Sequence, residues 1–110
     1  MFKPHEGPVP IPYFTGSEKE FINAALRMHK EYRPNDRTET DNIAVIVSRD
    51  GILYEYQFRL LYRAVLIYKL SISEDMRLIH LVLANTINKM RKVIIKYGLD
   101  SDKRDEGEVG

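Results

Sequence analysis

Ser73-Glu74-Asp75-Met76-Arg77-Leu78-Ile79-His80-Leu81-Val82-Leu83-Ala84-Asn85-Thr86-Ile87-Asn88-Lys89-Met90-Arg91-Lys92-Val93-Ile94-Ile95-Lys96-Tyr97, followed by Gly98, is the stretch whose reading decides the fold. Small polar and acidic residues open it, cations crowd its end and glycine follows. These are the start signal, the dipole-matched charges and the stop signal of one long amphipathic helix. Met76, Ile79, Leu83, Ile87, Met90, Ile94 and Tyr97 step by three and four, which makes a seam for a partner helix. Leu78, Leu81 and Ile95 fall outside that seam, so the first half of the helix is apolar nearly all round and needs cover from several sides.

Working back along the chain, residues 52–70 are nearly as apolar, with 14 of 19 positions hydrophobic. Glu55, Arg59 and Arg63 interrupt the run at four-residue spacing, which aligns the three charges on one face if the segment is helical. A stripe of Leu53, Tyr56, Leu60, Ala64 and Ile67 then faces the core. Charges so placed argue against a membrane span. The stretch before it has two readings. Ile43-Ala44-Val45-Ile46-Val47 is β-branched and Arg49-Asp50-Gly51 is a turn, so a short β-hairpin over 43–58 is one. Thr40, Asp41 and Asn42 are good helix caps, so a short helix at 41–49 followed by a long one at 51–70 is the other, and the favoured one.

Further back, Ser17 and Glu20 have the spacing of a capping box, and the helix they start should reach Tyr32, with Phe21, Ala24, Ala25 and Met28 on its inner face. Pro34 stops it, and Arg33 to Asn42 reads as loop. His29 is expected to be exposed near the helix end. Residues 1–14 carry four of the five prolines and form a stiff extended arm. That arm either packs along its own domain or crosses to a second subunit.

The fold class that results is mostly α: a small bundle of three to four helices, with the short β-hairpin around 43–58 as the open alternative. The organisation is a Pro-rich arm over 1–14, a helical domain over 15–98 and a charged tail over 99–110 that is expected to be disordered. Residues 100–110 hold five acids and two bases. The whole chain carries +1, with 15 bases against 11 acids over residues 1–99. Cysteine is absent, which removes disulfides, thiolate metal sites and cysteine nucleophiles and fits a cytoplasmic setting. The first residues lack the apolar run of a signal peptide.

Nothing in the sequence marks a catalytic centre. His5, His29 and His80 are scattered, there is no glycine-rich phosphate loop, and no serine has a nucleophile-elbow context. No catalytic, cofactor or metal residue is assigned, and no enzyme activity is expected. The leading functional reading is a non-enzymatic protein-interaction or regulatory module working as a homo-oligomer, most simply a dimer. Its contacts would be Tyr54, Tyr62, Tyr68, Leu78, Leu81 and Ile95. The partner protein is unidentified. The alternative is nucleic-acid binding through Lys89, Arg91, Lys92 and Lys96. The composition also suits a viral or mobile-element accessory protein.

Overall fold

A computed structural model describes residues 7–99. Its elements are β1 (Pro8–Pro10), α1 (Gly16–Tyr32), a 3-10 turn (Pro34–Asp36), α2 (Arg37–Ser48), β2 (Ile52–Tyr54), α3 (Glu55–Ser71) and α4 (Arg77–Tyr97). Three quarters of the described residues are helical, and the two strands form one short antiparallel sheet. The mostly-α bundle expected from the sequence is what the chain forms. The expectation of a disordered tail falls on residues outside those described, except for Leu99, which is buried.

The end of α4 follows its sequence signal closely. Gly98 takes a left-handed φ of 67°. The Gly98 N–H donates to Ile95 O and the Leu99 N–H to Ile94 O, which is the Schellman pattern. The start lies later than the sequence suggests. Ser73-Glu74-Asp75 forms a turn, with the Asp75 N–H donating to Ser73 Oγ at 3.4 Å, and the helix begins only at Arg77. The His80 ring closes that turn: its Nε2 stands 3.2 Å from Ile72 O and 3.0 Å from Ser73 O. Of the expected seam, Leu83, Ile87 and Met90 are buried and Val93 and Thr86 join them, whereas Met76 and Tyr97 at its two ends are 49% and 41% exposed.

α1 starts from a capping box of the expected spacing, two residues earlier than Ser17/Glu20. The Thr15 N–H donates to Glu18 Oε1 at 2.7 Å and the Glu18 N–H to Thr15 Oγ1 at 3.2 Å. Glu18 wins over Glu20 because Lys89 of α4 holds it at 2.6 Å inside the fold, a partner no local pattern reveals. The buried face turns accordingly and comprises Ile22, Ala25, Leu26 and His29.

Between α1 and α2 the expected loop shrinks to a 3-10 turn. Pro34 ends α1 as predicted, and α2 then begins at Arg37, with no side-chain cap. Thr40 is inside the helix, not at its cap: it is buried and its hydroxyl donates to Arg37 O at 2.8 Å. The β-branched run is helical. Its helix penalty is a few tenths of a kcal/mol per residue, which burial of Ile43 and Val47 outweighs. Asp50 then adopts φ 54°, and Gly51 N–H reaches Ile46 O at 2.9 Å. A Cβ on Gly51 would stand 3.1 Å from Ile46 Cγ2, a tight contact that the Ile46 side chain would have to yield to by a few tenths of an ångström.

Strand β2 does form within 43–58, but residues 43–47 are not its ladder partner. Val9 pairs with Leu53, flanked by Pro8 with Tyr54 and Pro10 with Ile52. The central pair is buried and the flanking prolines are exposed, as suits an edge strand of a two-stranded sheet, where proline is tolerated. The Pro-rich arm therefore packs along its own chain, anchored by Val9 and by Phe14, which is 1% exposed. Helix α3 starts after β2, later than the sequence suggests, where Gln57 Oε1 accepts the Tyr54 N–H at 2.9 Å and Gln57 Nε2 donates to Glu39 of α2 at 2.6 Å. Its buried face is Phe58, Leu61, Ala64 and Val65, so Tyr56 and Ile67, expected inside, are exposed. The Glu55–Arg59 pair forms along α3 as the four-residue spacing implies.

Candidate functional site

The residues singled out as contact surface divide into two groups. Tyr62 and Tyr68 are half-buried within the chain. The Tyr62 hydroxyl accepts from Arg91 Nε at 3.1 Å, and the Tyr68 ring lies 6.5 Å from that of Phe21. The other four face solvent: Tyr54 at 52%, Leu78 at 79%, Leu81 at 58% and Ile95 at 75% exposure. Tyr54 stacks on Tyr56 with ring centroids 6.3 Å apart. Leu78 and Leu81 sit one turn apart at the start of α4. Fourteen residues, about 21 Å of helix, separate Leu81 from Ile95. Leu70, in the last turn of α3, is 86% exposed, and Met76 in the intervening turn is also exposed. The end of the bundle where α3 turns into α4 thus presents a run of large apolar side chains.

The basic end of α4 is less available than its composition suggests. Lys89 Nζ donates to Glu18 Oε1 at 2.6 Å and to Tyr13 O at 2.9 Å, and lies 5.9 Å from the centre of the Tyr13 ring. It clamps the arm and the start of α1 onto α4. Burial opposes ionisation of the Glu18 carboxyl, but hydrogen bonds from Lys89 and Thr15, together with the Lys89 charge, outweigh it and hold its pKa below the ordinary 4.5. Arg91 is engaged by Tyr62, and Lys96 lies over the Tyr97 ring at 5.6 Å. At 100° per residue, Arg91 also projects from a different side of α4 than Lys92 and Lys96.

A polar cluster at the end of α1 was not legible in the sequence. His29, expected to be exposed, is 7% exposed, because the 3-10 turn folds back over the end of α1. That turn brings Asp36 to it, with His29 Nε2 2.8 Å from Asp36 Oδ2. Beside this pair a cavity of about 730 Å³ opens between α1, the 3-10 turn and α3. Arg33, Arg63 and Tyr32 line it together with the apolar side chains of Met28 and Ile67. A smaller cavity of about 200 Å³, reaching Tyr56 and Arg59, shares His29, Arg33, Asp36 and Arg63. The one local hint was the position of His29, three and four residues beyond Leu26 and Ala25.

Among the described residues no group of three or more His, Asp and Glu side chains could hold a metal ion, and no helix is long and apolar enough to cross a membrane. No protein-family model, curated protein or solved structure matches the chain.

Proposed function

We propose that this chain is a non-enzymatic, intracellular protein-interaction module that self-associates, most simply as a dimer, through the end of the bundle where α3 turns into α4. The observation that carries this reading is the exposure of Leu70, Met76, Leu78 and Leu81 at that end, while a core of Phe14, Phe58, Leu61, Leu83 and Met90 closes without them. Contiguous exposed apolar patches larger than roughly a few hundred Å² mark contact surfaces on folded chains. Two-fold closure is the commonest way to cover one.

Leu78→Glu and Leu81→Glu test it. Both side chains are exposed, so each change should leave the melting temperature within the range of an ordinary surface substitution, about 0.5 kcal/mol. Sedimentation should show wild-type self-association weakened by about tenfold or more. A wild-type chain that stays monomeric at high concentration and captures no protein sinks the reading.

The competing reading, nucleic-acid binding through α4, rests on Lys92 and Lys96, since Lys89 is paired with Glu18. Binding of generic DNA or RNA must then fall steeply with salt, and Lys92→Glu must reduce the slope by about one. A titration at low salt showing no binding removes it.

A further inference from the structure

Two arginines that form no ion pair among the described residues line one cavity. Arg33 directly follows α1 and Arg63 lies midway along α3, yet both line the large cavity and its smaller neighbour. Among the described residues, the ion pairs use Lys19, His29, Lys30, Arg59 and Lys89 as cations, and neither Arg33 nor Arg63. Of the acids, Asp36 alone lines the large cavity, and it is held by His29 at 2.8 Å. Both arginines are solvent-exposed and stand on the rim of an open cleft, where two like charges lining one concavity concentrate positive potential.

We infer that this cavity binds a small phosphomonoester with an apolar body. Each guanidinium is a planar fork whose donors match phosphoryl oxygens in pairs, and two forks balance a dianion better than they balance a single carboxylate. Met28, Ala64, Ile67 and the Tyr32 ring give part of the remaining wall an apolar surface that suits a hydrocarbon or aromatic body, beside the polar Asn35 and the His29–Asp36 pair. The volume of about 730 Å³ lies in the range of small-molecule sites, roughly 300–1,000 Å³. A nucleic-acid strand fits less well, because the α4 cations Lys92 and Lys96 line neither cavity and offer no continuing track from it.

The test is a titration of the full chain at low ionic strength with phenyl phosphate and, separately, with inorganic phosphate, followed by amide chemical shifts. Phenyl phosphate should saturate, with shifts confined to residues 25–36 and 56–67, and should bind more tightly than inorganic phosphate. Arg33→Ala and Arg63→Ala should each weaken it by about tenfold or more, the worth of a charge-assisted bond. Both variants should keep the wild-type melting temperature. Arg63→Lys should restore only part of the loss, since a point charge replaces a fork. The proposal is overturned if phenyl phosphate fails to saturate, if the double alanine variant binds as well as wild type, or if the shifts lie elsewhere. Equal affinity for inorganic phosphate overturns the apolar body. A single-stranded oligonucleotide that shifts these residues where phenyl phosphate does not overturns the small-molecule assignment.

Discussion

Phe14→Ala is expected to destabilise the protein by about 3–5 kcal/mol, the usual loss for a fully buried phenylalanine. Phe14 is 1% exposed and ends the Pro-rich arm, one residue before the Thr15 cap of α1. An arm that merely lay on the surface would give an effect near zero. Five residues upstream Val9 is also buried, opposite Leu53 in the two-stranded sheet, so the arm is a wall of the core. For a chain of this length the change should lower the melting temperature by roughly 15 °C or more. Thermal denaturation followed by circular dichroism checks it, and a shift of only a degree or two would detach the arm from the core. The exposed Tyr13 beside it provides the control: Tyr13→Ala removes a side chain that is 74% exposed and should cost well under half as much.

Lys89→Ala should be the second large effect, about 2–4 kcal/mol near neutral pH. Glu18 is buried and Lys89 reaches it from a partly exposed position, so removing the lysine strands a carboxylate inside the fold. Glu18 would keep its burial and lose the strongest of the contacts that hold its pKa down, and the Tyr13 carbonyl would lose its donor. The effect depends on pH with a definite sign. In the wild type Glu18 has a folded pKa below its ordinary 4.5. Its contribution to stability is therefore complete above about 4.5 and is lost as pH falls through the lower folded value. Without Lys89 the same carboxyl gains a proton readily on acidification, which relieves the stranded charge. The stability gap between wild type and variant should be widest above pH 5 and narrow as the pH drops toward 3. Denaturant melts across that range measure it, and a gap independent of pH would show that the Glu18–Lys89 pair is not its source.

The two sites differ in how much of them could be read in advance. Leu78, Leu81 and Ile95 were marked as surplus by helical periodicity alone, because a wheel assigns positions to faces without knowing what packs there. Tyr62 and Tyr68 stand out by residue type alone, and only the tertiary structure shows that each is half-buried, one against Arg91 and the other near Phe21. The basic end of α4 shows the same limit: composition groups Lys89 with Lys92 and Lys96, but only the docking of α1 reveals that Lys89 holds Glu18. The His29–Asp36 pair and the Arg33–Arg63 cavity had almost no local signature. Their residues come from α1, a 3-10 turn and α3, and their meeting depends on the angle at which Pro34 sends the chain back.

By itself the sequence determined the mostly helical class, the positions of α1 and α3 to within a few residues, and the left-handed stop at Gly98. Each rests on short-range physics: 3.6-residue periodicity, i to i+4 charge spacing and the unique backbone freedom of glycine. Only the tertiary structure decided that Thr15 and not Ser17 caps α1, that a β-branched run lies in a helix, and that the proline arm is a strand partner for Ile52–Tyr54. In each case two local options lay within about 1 kcal/mol of one another. Burial of Ile43, Val47, Val9 and Leu53, and the reach of Lys89 to Glu18, are worth more than that difference and come from parts of the chain far apart in sequence.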